Sequence, residues 1–142
     1  MKRKRVLFDC RNLSFPGSGL CAYCEGIVEN LVDYANDFDF IFLVNEREAI
    51  DRLNLPFDYS VMKAGIKKSN MFLRDINEQI LIPIRLTFKH IDVFHGFDYY
   101  VPYVKTKYKK VSTIHDCAAF RDQVSGSIRS KYRRLLQRMA AK

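Results

Sequence analysis

The sequence predicts an α/β domain, a Rossmann-like fold whose mostly parallel sheet is covered by helices on both faces. Short apolar segments alternate along the chain with segments of helical periodicity, which is typical of βαβ units. Residues 38–44 are almost continuously hydrophobic, as expected for a strand covered on both sides. The chain has 142 residues, 48% of them hydrophobic, which suffices for one domain with its own core.

The first half of the chain follows this alternation closely. We expect a first strand at residues 5–9 and a helix over residues 18–35, where apolar residues recur at helical spacing. A second strand at residues 38–44 precedes a short helix at residues 46–53. A third strand is predicted at residues 59–63.

The second half continues the pattern with shorter elements. Residues 69–82 have a helical composition, and Pro83 is expected to end or kink that helix. A helical turn at residues 84–88 then precedes strands at residues 93–95 and 111–115. In an open parallel sheet, ligands bind beyond the carboxyl ends of the strands, so we expect a site at that edge.

Basic residues exceed acidic residues by 24 to 16, which gives a formal net charge of +8. The excess is concentrated in residues 2–5, in residues 105–110 and after residue 125, where a closing helix is predicted at residues 127–141. Such a field attracts nucleotide phosphates, anionic lipid headgroups or nucleic acid. Because this helix has an apolar stripe and a basic face, peripheral membrane contact is one expectation for it.

The sequence favours a cytoplasmic protein. No apolar run approaches the roughly 20 residues of a membrane span, and only three apolar residues follow the basic N-terminus before Asp9, unlike a signal peptide. Free thiols are the expected state of the four cysteines. A zinc site formed by Cys10, Cys21, Cys24 and Cys117 is the alternative, but one CxxC without a second pair matches such sites poorly. We expect no bound metal.

Three predicted strands end in residues suited to a common crevice. The first leads to Gly17, Ser18 and Gly19 at a helix start, where free backbone N–H groups can bind phosphate. The same residues also suit a simple turn with Ser18 as the N-cap. The other two strands lead to His95-Gly96 and to His115-Asp116.

The ordered set of segments resembles the N-terminal domain of family 4 glycosyltransferases, retaining enzymes of the GT-B fold. They occur in the family's order and span nearly the whole chain: VLFDCRNL (6–13), GSGLCAY (17–23), NEQILIP (77–83), DVFHGFDYYVP (92–102), VSTIHD (111–116) and the basic helix at 132–141. The last glycine and the basic residue of the family's glycine-rich pattern are replaced here by Cys21 and Ala22. A side chain at position 21 is expected to narrow the approach of a phosphate.

The resemblance implies that residues 1–142 are half of a two-domain enzyme, with the C-terminal donor-binding domain absent. Such an enzyme transfers a sugar (a hexose in the hexosyltransferase type) from a nucleotide-sugar donor to an acceptor hydroxyl on a carbohydrate or a lipid-linked molecule. The nucleotide sugar is a substrate, and no other cofactor is implied. The half alone is expected to be inactive, and its place is the cytoplasm or the inner face of the membrane.

The resemblance also implies roles for individual residues. The loop of Gly17, Ser18 and Gly19 would approach the donor diphosphate, and His115 would lie against the transferred sugar. A neutral imidazole could donate to a sugar hydroxyl or phosphate oxygen. Asp116 is a candidate general base, although orienting His115 is the role we favour. The residues that would contact the acceptor or the sugar are His95, Gly96 and Tyr99.

Several alternatives stay open at this point. Each histidine suits a purely local hydrogen bond at its strand end, and Asp9 and Arg11 are expected to pair for structural reasons. A non-catalytic basic α/β module that binds nucleic acid or an anionic membrane surface is the second function, although no nucleic-acid-binding signature is present. A flavodoxin-like redox domain matches in fold class alone.

Overall fold

The computed structural model describes residues 3–65, 76–98 and 101–115, together with Leu135. Its five strands form one parallel sheet in the order β3-β2-β1-β4-β5. The strands are β1 (Lys4–Asp9), β2 (Phe38–Val44), β3 (Tyr59–Lys63), β4 (Val93–Gly96) and β5 (Lys109–Ser112). The predicted α/β, Rossmann-like architecture is confirmed.

Helical segments connect the strands. The first helix, α1 (Gly19–Glu29), continues as the 3-10 segment Asn30–Tyr34, so the helix predicted at 18–35 is present with a tighter last part. The second, α2 (Glu48–Asp51), is shorter than predicted. The third, α3 (Ile82–Phe88), directly follows a π-helical turn at Asn77–Leu81. None of the described helices is both long enough and apolar enough to cross a bilayer.

The alternation of side chains along each strand produces two cores. On β2, Phe40 and Phe42 face the core beneath α1, whereas Ile41 and Leu43 face the core beneath α3. Consecutive side chains of a strand point to opposite faces of the sheet, so a continuously apolar strand is buried on both sides. The sheet is therefore the middle of three layers.

Pro83, which was expected to end or kink the helix, lies in the first turn of α3, directly after the helix type changes from π to α. One prediction about local structure was inaccurate. The last described strand covers Lys109–Ser112 rather than residues 111–115. It lies at the edge of the sheet, where pairing with β4 needs no apolar side chains. Residues 69–75 of the helix predicted at 69–82 lie outside the described residues. So does the whole helix predicted at 127–141, apart from Leu135.

The strand order locates the crevice of the fold. The chain moves from β1 to β2 and β3 on one side, then crosses to β4 and β5 on the other. The switch point is thus between β1 and β4, and the carboxyl ends of these two strands carry the loops that could bind a ligand.

Candidate functional site

The start of α1 is shaped by Gly17 and Ser18. Gly17 has a φ of 81°, which a residue with a side chain rarely adopts. The Ser18 hydroxyl donates to the Phe15 carbonyl oxygen at 2.9 Å and accepts from the Cys21 N–H at 3.1 Å, so the predicted N-cap is present. The N–H groups of the first helical residues, which begin at Gly19, point past the helix end, as phosphate binding requires.

Cys21 does not obstruct this helix start. Its side chain is fully buried, with its sulfur 3.4 Å from a Glu25 carboxylate oxygen. Arg52 donates to that sulfur at 3.3 Å and to the Leu13 carbonyl oxygen at 3.0 Å. The expected narrowing by a side chain at position 21 is therefore wrong, because this side chain packs into the core and leaves the opening clear.

Tyr23 connects the helix start to His115. Its ring packs edge-on against the His115 imidazole, with 4.7 Å between the ring centroids. Its hydroxyl lies 3.4 Å from the Thr113 hydroxyl. Since Tyr23 is four residues beyond Gly19, about one helical turn, Gly19 and His115 lie on the same side of the molecule.

His95 joins the same group through Thr113. The Nε2 atom of His95 is 3.3 Å from the Thr113 hydroxyl oxygen, and its ring centroid is 5.0 Å from that of Phe97. We call Tyr23, His95, Phe97, Thr113 and His115 the histidine cluster. Burial of the half-buried His95 lowers the pKa of its imidazole, which favours a neutral ring at pH 7.

The hydrogen bond of His115 decides what its ring can offer a ligand. Its Nε2 lies 2.8 Å from the Phe97 carbonyl oxygen, an acceptor, so Nε2 carries the proton. A neutral His115 then presents Nδ1 as an acceptor and donates from that atom only when protonated. His115 is exposed as a residue, while one side of its ring is covered by Tyr23.

The remaining predicted residues differ in their placement. Gly96 ends β4 and is buried, and its carbonyl oxygen accepts from the Thr113 N–H at 3.0 Å. It therefore helps to build the floor of the crevice. His90 is exposed and lies outside the cluster. Tyr99 and Asp116 lie outside the described residues.

A buried charged triad lies beside this edge of the sheet. Arg11 donates twice to the Asp9 carboxylate, at 2.7 and 2.6 Å, and once to Glu78 at 2.8 Å. Burial alone would lower the pKa of Arg11, but the two carboxylates raise it, so the guanidinium stays charged. Removing one member of a buried charged group typically costs about 3–5 kcal/mol. The predicted pairing of Asp9 with Arg11 is confirmed, and Glu78 is a third member that the local sequence did not reveal.

The π-helical turn holds three segments at the carboxyl edge. Asn77 donates to the Ala64 carbonyl oxygen at 3.1 Å, after β3. The side-chain oxygen of Gln79 accepts from the Tyr103 N–H at 2.8 Å, between β4 and β5. With the bond from Arg11 to Glu78, three consecutive side chains fix the loops that surround the crevice. The turn therefore acts by positioning these loops.

A separate cavity of about 570 Å³ lies at the opposite edge, where β1, β2 and β3 begin. Its wall includes Arg3, Asp39, Phe57 and Tyr59. Arg3 and Asp39 are paired with each other at 2.6 Å. None of the predicted site residues lines it.

No metal site is found among residues 3–65, 76–98 and 101–115, where His, Cys, Asp and Glu side chains do not gather in groups of three or more. Cys10, Cys21 and Cys24 are buried free thiols. The fourth cysteine of the zinc alternative, Cys117, lies outside the described residues.

No protein-family model, curated protein or solved structure matches this chain.

Proposed function

We propose that this chain is the acceptor-side half of a retaining glycosyltransferase of the GT-B type that works in the cytoplasm with a nucleotide-sugar donor. The contact between Tyr23 and His115 is the observation that carries the proposal. It brings an open helix start and an exposed imidazole to one side of the sheet. A helix start can bind a phosphate and an imidazole can bond to a sugar hydroxyl, so the pair suits a nucleotide sugar.

The proposed chemistry assigns separate tasks to the two parts. The first N–H groups of α1, with the helix dipole, stabilise the negative charge of the departing diphosphate. The bond between the sugar's anomeric carbon and the diphosphate breaks, and a bond to the acceptor oxygen forms on the same face. The acceptor proton passes to the leaving phosphate oxygen. His115 contacts the transferred sugar, and a second domain supplies the other donor contacts.

The crevice offers a hydrogen-bonding pattern that suits sugar hydroxyls. A sugar hydroxyl can donate to Nδ1 of a neutral His115 while the Phe97 carbonyl oxygen holds the other ring nitrogen. Tyr23, which packs against this ring, also contacts the Thr113 hydroxyl, and Thr113 in turn contacts the neutral His95. Gly96 supports the floor of the crevice, and Asp116 and Tyr99 stay proposed as its further members.

Titration of the ¹⁵N-labelled chain with UDP- and GDP-sugars tests the proposal. We expect the backbone amide signals of Gly19 and Leu20 to shift, because they would donate to the diphosphate. The ring signals of His115 should shift with them. A His115→Asn variant should bind the sugar nucleotide about tenfold more weakly, the effect of one lost hydrogen bond of roughly 1.4 kcal/mol.

His90→Asn is the matched control, since His90 is exposed and outside the cluster. Its affinity should equal that of the unchanged chain. A nucleotide sugar that binds without shifting the Gly19 signal, or a His115→Asn variant that binds it as tightly as the control, would show that the proposal is wrong.

A basic module that binds nucleic acid is the second candidate, and the net charge of +8 favours it. Titration with a single-stranded oligonucleotide separates the two functions. Salt-dependent binding of the oligonucleotide, without a response to nucleotide sugars, would support the second candidate.

A further inference from the structure

The outer face of the helix that contains α3 is apolar. Ile80, Leu81, Ile84 and Phe88 are 49%, 43%, 50% and 78% exposed. They follow one another at helical spacing, and we call them the α3 stripe. A surface helix normally presents polar side chains to water, and a contiguous exposed apolar patch marks an interaction site.

The opposite side of the same helix is already used by the fold. Ile82 and Leu86 are buried in the core beneath α3, against the sheet. Apolar side chains therefore occupy the buried side of the helix and a large part of its exposed side, as is typical of helices buried on both sides. The α3 stripe is the part that still faces solvent.

Cations flank the stripe. Arg85 and Lys89 are exposed on the helix itself, and the Arg85 guanidinium extends toward Gly65, after β3, whereas Lys89 lies at the carboxyl end of the stripe. The Arg5 guanidinium donates to the Lys89 carbonyl oxygen, which brings the start of β1 to the end of the helix. Lys109 lies near the same end of the helix. Its N–H donates to the Asp92 carbonyl oxygen at 2.9 Å, and the Asp92 N–H donates to the Arg5 carbonyl oxygen at 2.9 Å.

Among the described residues, the two acids of this region are already paired with cations of the fold. Asp92 is 3.3 Å from the Lys4 ammonium and accepts from the Arg5 N–H at 2.9 Å. Glu78, the acid of the π-helical turn, is buried against Arg11. The solvent-facing side of the helix is thus apolar and cationic.

We propose that the α3 stripe docks on an anionic phospholipid surface, with the helix parallel to the bilayer plane. The aliphatic and aromatic side chains would enter the boundary of headgroups and acyl chains, and the cations would contact lipid phosphates. Charge complementarity and the aliphatic stripe select this partner. Nucleic acid would not pair with Ile80, Leu81 and Ile84, because its binding relies on phosphate contacts and base stacking.

A second copy of the chain is a poorer partner for the same surface. A two-fold contact through the stripe would bring each copy's cations close to those of the other. Like charges across an interface oppose association. This proposal is independent of the glycosyltransferase proposal, since it concerns the outer layer of the fold rather than the crevice.

Vesicle flotation with the 142-residue chain tests the docking. We expect the chain to float with vesicles of phosphatidylcholine and phosphatidylglycerol (7:3) and to stay in solution with phosphatidylcholine alone. The double variant Ile84→Ser/Phe88→Ser should lower the partition coefficient at least tenfold, because each buried large apolar side chain contributes about 1.5–3 kcal/mol. Arg85→Gln/Lys89→Gln should lower it about fivefold per cation.

The matched control is Phe15→Ser/Val32→Ser, which removes two exposed apolar side chains, 62% and 43% exposed, outside this helix. It should float as the unchanged chain does, and circular dichroism should show all variants folded. Equal flotation of the α3 and control variants would overturn the proposal. The proposal would also be overturned if flotation were lost only in a variant with Arg133, Arg134 and Arg138 replaced by Gln, because the membrane contact would then belong to the tail. Absence of flotation, with a dimer in sedimentation that Ile84→Ser/Phe88→Ser dissociates, would assign the stripe to a second copy.

Discussion

His95 shows at the residue scale how the crevice sets a protonation state. Its ring is half-buried beside Phe8 and Phe97, with centroid distances of 5.4 and 5.0 Å. This burial lowers the pKa of the imidazole below its ordinary value of 6.5. The unfolded chain therefore takes up a proton first as the pH falls. The free energy of unfolding should decrease from about pH 6.5 downward, until the folded-state pKa is passed.

Urea unfolding at pH 5.0 and pH 7.5 measures this dependence. His95→Gln should show a smaller loss of stability between the two pH values than the unchanged chain, because it removes the group that resists protonation. His90→Gln removes one exposed histidine and should retain the full loss. An identical pH dependence in the two variants would contradict the assignment to His95.

Residue identity alone could not reveal which groups meet in the site. His95, His115 and the glycine loop were predicted from their positions after strands, and the structure brings them to one side of the sheet. Tyr23 and Thr113, which connect them, were missed. Tyr23 follows Gly19 by four residues, so its place on the same helical face could have been recognised. The bond between Arg11 and Glu78 spans 67 positions, and no local pattern reports it.

The turn into α1 gives a prediction at the scale of one element. Gly17→Ala should lower the free energy of unfolding by roughly 1 kcal/mol or more, because its φ of 81° strains any residue with a side chain. Gly26→Ala, in the exposed middle of α1, should raise it by up to about 1 kcal/mol through helix propensity. No neighbouring atom lies within 4 Å of the new methyl group at either position.

Urea unfolding of the two variants provides matched measurements, since both add one methyl group to the same part of the chain. Their effects should have opposite signs. A stabilising Gly17→Ala would show that the loop adopts another conformation in solution, and would remove the structural basis for the open helix start.

The bounds of a strand could be predicted where its side chains reach the core. The strands Phe38–Val44 and Tyr59–Lys63 have the predicted bounds. A continuous apolar run marks the first, and in the second Tyr59, Val61 and Met62 reach the two cores. The bounds of Lys109–Ser112 were missed, because none of its side chains is buried and only backbone pairing defines it. Helical residues were predicted on both sides of Pro83, but the π-helical turn at Asn77–Leu81 was not, because no residue pattern marks it.

At the scale of the whole molecule, one sheet separates two cores and couples them. Phe8 packs beneath α1 while Leu7, its neighbour on β1, packs beneath α3. Loss of one core would expose one face of the same central strands. The crevice at the carboxyl edge and the α3 stripe on the outer layer therefore rest on a single packed unit.

Thiol labelling can test whether the two cores open together. Cys10 and Cys24 are fully buried beneath α1, and burial, followed by the contact with Cys24, raises the pKa of the Cys10 thiol. Both should react with iodoacetamide at least about 10³-fold more slowly than an unfolded thiol, since exposure requires unfolding. Ala64→Cys adds a thiol to the core beneath α3, where Ala64 is 3% exposed.

Peptide mapping by mass spectrometry gives the labelling rate of each thiol in one sample. The sample is the Ala64→Cys variant that also carries Cys117→Ser. Cys10 and Cys24, on one face of the sheet, and the thiol at position 64, on the other, should give the same free energy of opening, because β1 and β2 belong to both cores. Ser60→Cys, on the exposed side of β3, is the control and should react at the rate of an unprotected thiol. A thiol at position 64 that reacts more than tenfold faster than Cys24 would mean that the layer of α3 opens alone. In that case the α3 stripe and the crevice would belong to units of separate stability.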